Sequence, residues 1–228
     1  MSPKMSSMPV VGMRTLSAIP VAVMLLLPST GSAEHPLEPA FTSSPRETLA
    51  TFLEESDGLW SVVRAEGTEE RSEDGLRLTR EHDIRSIRTF DMSEIAPKAR
   101  EETAHAVQVH LYEVLSRIEL PALEDVPDDE FIAENPGLSL YTIPHTEIHI
   151  RKVEEGPRRG EFLFAPETIE RAEEFYERTR DLPYLRPPPI ENVGTFLEVY
   201  GGWGIAISTV DALPAWMRKV VGEQAVWK

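Results

Sequence analysis

Apolar residues at helical spacing dominate the first half of the chain. After Ser44, which can cap a helix, the stretch 45–65 carries one apolar face and predicts a long first helix. The stretch 76–89 predicts a second helix with an arginine-rich, solvated outer face. The apolar positions expected to point inward from this second helix are Leu76, Ile84 and Ile87.

A third helix is predicted to open at Pro97 and to end before Pro121. Its apolar residues recur in steps of three and four, which indicates packing against another helix. They are Ala104, Val107, Leu111, Val114 and Ile118. A fourth helix is predicted from Pro166 to the residue before Pro183, and a short final helix over 213–228.

The pattern changes in the middle of the chain, where β-branched and aromatic residues cluster in short runs. The runs 140–143, 146–153 and 161–165 predict strands, and residues 156–160 predict the turn between the last two. The expected fold is therefore α+β, mostly α-helical with four to five helices, with a small antiparallel β-sheet in the middle.

The N-terminus has the pattern of an export signal. Lys4 and Arg14 precede an apolar run over 16–27, and small residues lead up to Ala33. This pattern predicts a signal peptide over residues 1–33, cleaved after Ala33. The alternative is an anchor helix, but spanning a bilayer takes roughly 20 apolar residues and this run is shorter.

Beyond the leader, two parts are expected. Residues 34–186 form a helical extracytoplasmic domain with a small sheet. Residues 187–228 form a proline linker followed by a juxtamembrane-like tail. The boundary lies at the prolines 187–189, because a proline run is extended and semi-rigid and suits a spacer.

Charge and composition narrow the choice of partners. The chain carries 23 basic and 39 acidic residues, a net charge of −16; loss of the leader removes Lys4 and Arg14 but no acid, which leaves −18. Nucleic-acid binding is excluded, because phosphate neutralisation requires clustered Lys and Arg. The chain has no cysteine, which excludes thiolate nucleophiles, thiolate metal sites and disulfides.

One short motif has the composition of a metal site. If residues 146–153 extend a strand, His145, Glu147 and His149 share one face, and two imidazoles with a carboxylate could hold zinc. The simpler alternative is the polar outer face of a hairpin, since the motif offers no fourth ligand. No nucleophile elbow or phosphate-binding loop occurs, so we predict no catalytic residue and no cofactor.

The C-terminal stretch places tryptophan beside basic residues, a combination typical of the membrane interface. The membrane-interface candidates are Trp216, Arg218, Lys219 and Trp227. An ordinary amphipathic helix that docks on its own domain would explain the same pattern.

Several short segments, taken in order, resemble the N-terminal extracytoplasmic domain of some MscS-like (small-conductance) mechanosensitive channels. The matching segments are 37–40, 42–46, 48–49, Phe52, 114–115, 117–118, 120–121, 143–144, 146–148, 160–164, 175–176, 182–184 and 213–216. The resemblance covers most of residues 37–228. The chain departs from it at Phe41 and Ser116, where Asp is expected, and at Ala165, where Ser is expected.

The resemblance implies a non-catalytic periplasmic accessory or sensor domain at the outer face of the inner membrane, truncated or split before the pore. It implies a channel pore subunit or another membrane-proximal protein as partner, with homo-oligomers formed through a channel assembly. Two alternatives stay open: a free periplasmic binding or interaction protein, and a metal-dependent hydrolase that uses His145, Glu147 and His149.

Overall fold

The fold is α+β and mostly helical, as the sequence predicts. The computed structural model describes residues 40–66, 72–200, 214, 220–221 and 224–225. Its α-helices are α1 (Pro45–Glu66), α2 (Glu73–Ile87), α3 (Arg100–Arg117), α4 (Asp129–Glu134), α5 (Pro166–Glu170), α6 (Ala172–Thr179) and α7 (Val193–Tyr200). Its strands are β1 (Leu140–Thr142), β2 (His149–Lys152), β3 (Phe162–Phe164), β4 (Val220–Val221) and β5 (Gln224–Ala225). Strands β1, β2 and β3 form an antiparallel sheet in that order, which confirms the predicted small sheet in the middle.

Helices α1 and α2 pack as a close antiparallel pair with a polar contact. Gly58 lets the helices approach, because a Cβ atom there would lie 2.5 Å from the His82 ring. Beside it, the buried Glu55 places Oε2 2.7 Å from His82 Nδ1 and Oε1 2.9 Å from Arg85 Nε. The helix pair therefore buries a carboxylate between two side chains that can carry positive charge.

The outward face of α2 corrects a sequence prediction. Leu76 and Ile84, predicted to point inward, are 53% and 43% exposed, and of the three predicted residues only Ile87 packs against the core. The physical reason is the buried Glu55 of α1. A carboxylate out of water must be paired, so α2 turns its polar side toward α1. Leu76 and Ile84 then face solvent.

Helix α3 runs through the centre of the fold and has the predicted apolar face. It begins at Arg100, three residues after the predicted start at Pro97. The predicted inward residues within it are all buried: Ala104, Val107, Leu111 and Val114. Ile118, just past its end, is partly buried against the core. The helix packs on α6, so the predicted helix–helix contact is confirmed.

The inner face of the sheet joins the helical core through phenylalanine rings. Phe52 of α1, Phe90 and Phe164 of β3 form a cluster with ring centroids 5.3 to 6.0 Å apart. Ile150 of β2 pairs with Phe164 and is fully buried. Tilted and edge-on ring pairs add to the stabilisation that burial gives, so this cluster holds the sheet on α1.

Strand β2 is shorter than predicted, because a tight turn precedes it. Residues 143–148 form this turn, in which Thr146 Oγ1 donates to the Ile143 carbonyl at 2.8 Å. His145 adopts a φ of 61°, in the left-handed region that few non-glycine residues enter. The strand therefore begins only at His149, and the prediction that it starts at residue 146 is wrong.

The helix predicted from Pro166 is two helices. Helix α5 ends at Glu170 and α6 begins at Ala172, with Arg171 between them at φ −102° and ψ 5°. The side chain of Arg171 forms an ion pair with Glu174 of α6 at 2.9 Å.

Residues 182–193 lie against the helical core. Arg64 Nη1 donates to the Pro189 carbonyl at 2.8 Å, which fixes the proline run on the end of α1. Ile190 is buried and Val193 is fully buried. The residues that follow the triple proline thus belong to the core, whereas the sequence predicted a linker there.

The last described elements correct the predicted final helix. Val220 pairs with Ala225 and Val221 with Gln224, in an antiparallel arrangement of β4 and β5. The helix prediction over 213–228 is wrong at these residues, because adjacent β-branched valines followed by a glycine favour a hairpin. The remainder of that stretch, apart from Pro214, lies outside the described residues, as does the predicted leader over 1–33.

Candidate functional site

The three metal-site candidates do not share a strand face. His145 and Glu147 lie in the turn before β2, and only His149 is in the strand. The carboxylate of Glu147 accepts hydrogen bonds from Arg171 at 2.9 Å and Arg178 at 3.1 Å, and these bonds lower its pKa. Among the residues that the structure describes, no group of three His, Asp or Glu side chains is placed to hold a metal ion. The alternating-face arrangement behind the zinc hypothesis is therefore wrong.

The membrane-interface candidates Trp216, Arg218, Lys219 and Trp227 lie outside the described residues. Within the described part of the chain, no helix combines the length and the apolar character that crossing a bilayer requires.

A concave surface lies where the end of α2, the start of α3 and the β2–β3 hairpin meet. We call it the arginine-rimmed groove; its cavity volume is about 550 Å³. Its apolar lining comprises Ile87, Phe90, Met92, Ala104, Val153 and Leu163. Its charged lining comprises three arginines, Arg88, Arg100 and Arg158, and three acids, Asp91, Glu101 and Glu155. A volume of this size lies within the range of small-molecule sites.

Two of the three arginines are fixed by backbone carbonyls. Arg158 Nη2 donates to the Arg88 carbonyl at 2.5 Å and its Nη1 donates to the Phe90 carbonyl at 3.2 Å. Arg100 Nε donates to the Ile95 carbonyl at 2.9 Å. Carbonyl acceptors position a guanidinium without neutralising it, so Arg100 keeps its charge at the groove. Arg158 is in addition paired with the Glu161 carboxylate at 2.6 Å, which compensates its charge.

Arg88 differs from its neighbours in having a free guanidinium. The side chain is exposed and makes no hydrogen bond or ion pair with any other described residue. Glu161 lines a cavity together with Arg88 and Arg158, and its carboxylate is already engaged by Arg158 at 2.6 Å and by Thr42 at 2.8 Å. Burial alone would raise the pKa of Glu161, but these hydrogen bonds and the positive charges of Arg158 and Arg88 lower it. Arg88 therefore has donors to spare at the mouth of the groove.

Sequence reasoning missed the arginine-rimmed groove. The sequence assigns Arg88 to a solvated helix face and Arg158 to a turn, and each assignment is locally correct. The two residues are 70 positions apart in the chain, so only the packing of the hairpin against the end of α2 brings them together. No periodicity or short motif carries that information.

A second polar feature, the buried carboxylate–arginine network, joins α3 to residues 182–193. Its side chains Glu113 and Arg117 are 0% and 1% exposed and form an ion pair. Tyr184 OH donates to Glu113 Oε2 at 2.7 Å, and the Val193 amide donates to Glu113 Oε1 at 2.7 Å. Arg117 Nη2 donates to Asn192 Oδ1 at 2.8 Å. Both carboxylate oxygens are thus used to hold the segment in place.

Tyr184 is the aromatic member of this network. The Arg117 guanidinium carbon lies 3.8 Å from the centre of its ring. Burial, together with the adjacent Glu113, raises the pKa of Tyr184 to about 12. The phenol stays protonated at neutral pH and keeps donating its hydrogen bond to the carboxylate.

Acidification is expected to lower the melting temperature through His110. Its ring stacks on Tyr176 with centroids 5.0 Å apart, and burial lowers its pKa below the ordinary 6.5, although Glu173 and Glu177 oppose this. The unfolded chain then binds a proton at a pH where the folded protein does not. The contribution of neutral, buried His110 to the free energy of unfolding is therefore fully present above pH 6.5, the ordinary pKa of the unfolded chain. It is lost as the pH falls through the lower pKa of the folded protein.

The matched variant for this prediction is His110→Phe, which keeps the stacked ring and removes the titrating group. Melting temperatures measured from about pH 7.5 to about pH 5.5 should fall less steeply for the variant, because it lacks the titrating imidazole of His110. Carboxylates of ordinary pKa stay ionised over this range. Parallel curves for the two proteins would contradict the assignment to His110.

In comparisons with known proteins, the chain matches no family model, no curated protein sequence and no solved structure.

Proposed function

We propose that this chain is a non-catalytic extracytoplasmic accessory domain that modulates an MscS-like mechanosensitive channel. The observation that carries the proposal is that the segments resembling that family, although far apart in sequence, contact one another in the fold.

The N-terminal segment meets the segment at residues 160–164. The Phe162 amide donates to the Thr42 carbonyl at 2.7 Å, and Thr48 Oγ1 donates to the Phe162 carbonyl at 2.5 Å. Thr42 Oγ1 also donates to Glu161 Oε2 at 2.8 Å. The four hydrogen-bonding residues all belong to matching segments, which supports treating these segments as one structural unit.

The segments at residues 117–118 and 182–184 also meet. Arg117 Nη2 donates to Tyr184 OH at 2.6 Å, and Arg117 Nε donates to the Leu182 carbonyl at 3.1 Å. This contact closes the buried carboxylate–arginine network. It places a second pair of resembling segments at a point where the fold depends on them.

The use of buried carboxylates supports a non-catalytic role. Glu113 accepts hydrogen bonds on both oxygens from Arg117, Tyr184 and Val193, and Glu55 faces two side chains of α2. A general acid or base needs a lone pair or proton that can reach a substrate. These two carboxylates instead hold helices and segments together.

A channel partner is tested in the cells that make the protein. The full chain carries an affinity tag, is cross-linked in intact cells and is purified from the membrane fraction. We expect an MscS-like pore subunit to be enriched over a tagged, unrelated periplasmic protein, and the isolated chain to begin at Glu34 after leader removal. Deletion of the gene should shift the membrane tension at which the channel opens in patch-clamp recordings, and re-expression should restore it.

An unchanged opening tension together with no pore subunit in the cross-linked sample would contradict the proposal. A specific observation then favours the second candidate, a free periplasmic binding protein. That observation is the arginine-rimmed groove, whose apolar lining and free guanidinium at Arg88 suit a soluble ligand as well as a membrane partner.

A further inference from the structure

We propose that the arginine-rimmed groove binds a small amphipathic carboxylate, a molecule with an unbranched aliphatic body and one terminal carboxylate. The carboxylate lies against Arg88, and the aliphatic body lies along the partly exposed Ile87, Met92 and Val153, above Phe90 and Leu163. This inference is independent of the channel proposal, because it concerns direct binding by the isolated protein.

The floor of the groove is preformed. Phe90 and Leu163 line it and each is only 1% exposed, and Phe90 belongs to the apolar core of the fold. The Phe90 ring is wedged against Phe52 and Phe164, and the Asp91 amide donates to the Phe164 carbonyl at 3.0 Å. A ligand that settles on this floor does not have to order it first, which reduces the entropic cost of binding.

The walls suit an aliphatic chain better than a polar one. Met92 and Val153 are partly exposed on either side of the floor, and Ile87 and Ala104 continue the apolar surface toward the helices. Met adapts its shape to irregular apolar partners. Apart from Ser93, the polar side chains of the lining are the charged ones, so a ligand with its polar group at one end leaves the apolar surface to its aliphatic body.

Arg88 determines the chemistry of that end. Its side chain is exposed and accounts for none of the hydrogen bonds or ion pairs among the described residues, although its charge helps to lower the pKa of Glu161. Its backbone carbonyl accepts a hydrogen bond from Arg158 at 2.5 Å. Both arginines also line an adjoining cavity of about 310 Å³. A planar guanidinium recognises a carboxylate by two parallel hydrogen bonds, so a carboxylate head fits this position.

The rest of the rim restricts the ligand to a single negative charge. Asp91, Glu101 and Glu155 also line the groove, and the whole chain carries a net charge of −16. A polyanion would meet these acids and the negative field of the protein, whereas a single carboxylate requires only the position at Arg88. The groove therefore favours a monoanion over a phosphate-rich ligand.

The test adds decanoate as the probe to the purified full chain. Titration calorimetry and chemical-shift mapping measure its binding. We expect saturable one-to-one binding with shifts at Phe90, Met92 and Leu163. Octanoate should bind roughly tenfold more weakly, since each buried methylene contributes about a three- to fourfold change in affinity. The neutral amide of decanoate should also bind at least about tenfold more weakly, because it lacks the charge that Arg88 recognises.

Two variants separate the head from the body of the ligand. Arg88→Ala should weaken decanoate binding by about tenfold or more and weaken binding of the amide much less, since only the carboxylate loses a charge-assisted hydrogen bond. Val153→Trp should weaken both ligands by filling the groove. Arg80→Ala is the matched control, because Arg80 is an exposed arginine on the same helix outside the groove lining, and it should bind like the original protein.

Three results would overturn the inference: no saturation by decanoate at millimolar concentration, equal loss of binding in Arg80→Ala and Arg88→Ala, or equal affinity for decanoate and its amide. Preference for a peptide with an apolar C-terminal residue over decanoate would also overturn it. Melting temperatures of all three variants, which change exposed or partly exposed residues, check that the folded protein is being compared.

Discussion

Replacement of Glu113 by Gln is expected to lower the free energy of unfolding by about 3–5 kcal/mol. The variant leaves Arg117 with a buried, uncompensated positive charge, since both side chains are essentially inaccessible to water. It also replaces a carboxylate oxygen that accepts the Tyr184 and Arg117 donors by an amide that cannot accept at both ends. Urea unfolding measures the loss; for a domain of this size each kcal/mol corresponds to roughly 2–4 °C in melting temperature.

Two comparisons make this result specific to the ion pair. Glu102→Gln removes a charge from an exposed position on the same helix and should change stability by less than about 0.5 kcal/mol. The double variant Glu113→Gln with Arg117→Met should be more stable than Glu113→Gln alone, because no unpaired charge is then buried. A loss below about 1 kcal/mol for Glu113→Gln would show that water reaches Arg117 and that the network is not closed.

Val107→Asp is expected to destabilise the protein by several kcal/mol, about 3 or more, or to prevent folding. Val107 is 4% exposed and belongs to the cluster of apolar residues at the centre of the fold. A carboxylate at this position loses its hydration, and the adjacent inward positions on α3, Ala104 and Leu111, offer it no cationic partner. Thermal unfolding followed by circular dichroism measures the change.

The matched control for this change is Ala106→Asp, one position along the same helix. Ala106 is exposed, so its aspartate stays hydrated and should cost less than about 0.5 kcal/mol. Equal effects at 106 and 107 would mean that helix propensity, and not burial, accounts for the loss, and the orientation of α3 would then be wrong.

The sequence predicted α3 well because its information is local. An apolar residue every three or four positions defines a face without reference to the rest of the chain, and Val107 and Leu111 lie where that face requires. Helix α2 was predicted less well, because its inward face is chosen by Glu55 of another helix. Leu76 and Ile84 look like core residues locally and are exposed in the fold.

The site was less predictable than the fold. The zinc hypothesis depended on a strand that starts by residue 146. Hydrogen bonds of Thr146 with its neighbours form a turn at the start of that stretch instead. The arginine-rimmed groove depends on Arg88 and Arg158, which are distant in sequence. The network around Glu113 depends in the same way on a tyrosine 71 residues away. Such contacts follow from packing, and no single stretch of sequence contains them.

The way residues 182–193 are attached determines how a pulling force would enter the domain. The Val193 amide is bonded to Glu113 on α3, and α7 begins at this same residue. Tension applied to the chain beyond α7 therefore reaches the central helix first, through hydrogen bonds loaded together with the Arg117–Tyr184 stack. The sheet β1–β3 packs on α1. Because Arg64 of α1 also holds the Pro189 carbonyl, force that passes beyond Val193 reaches the sheet through α1.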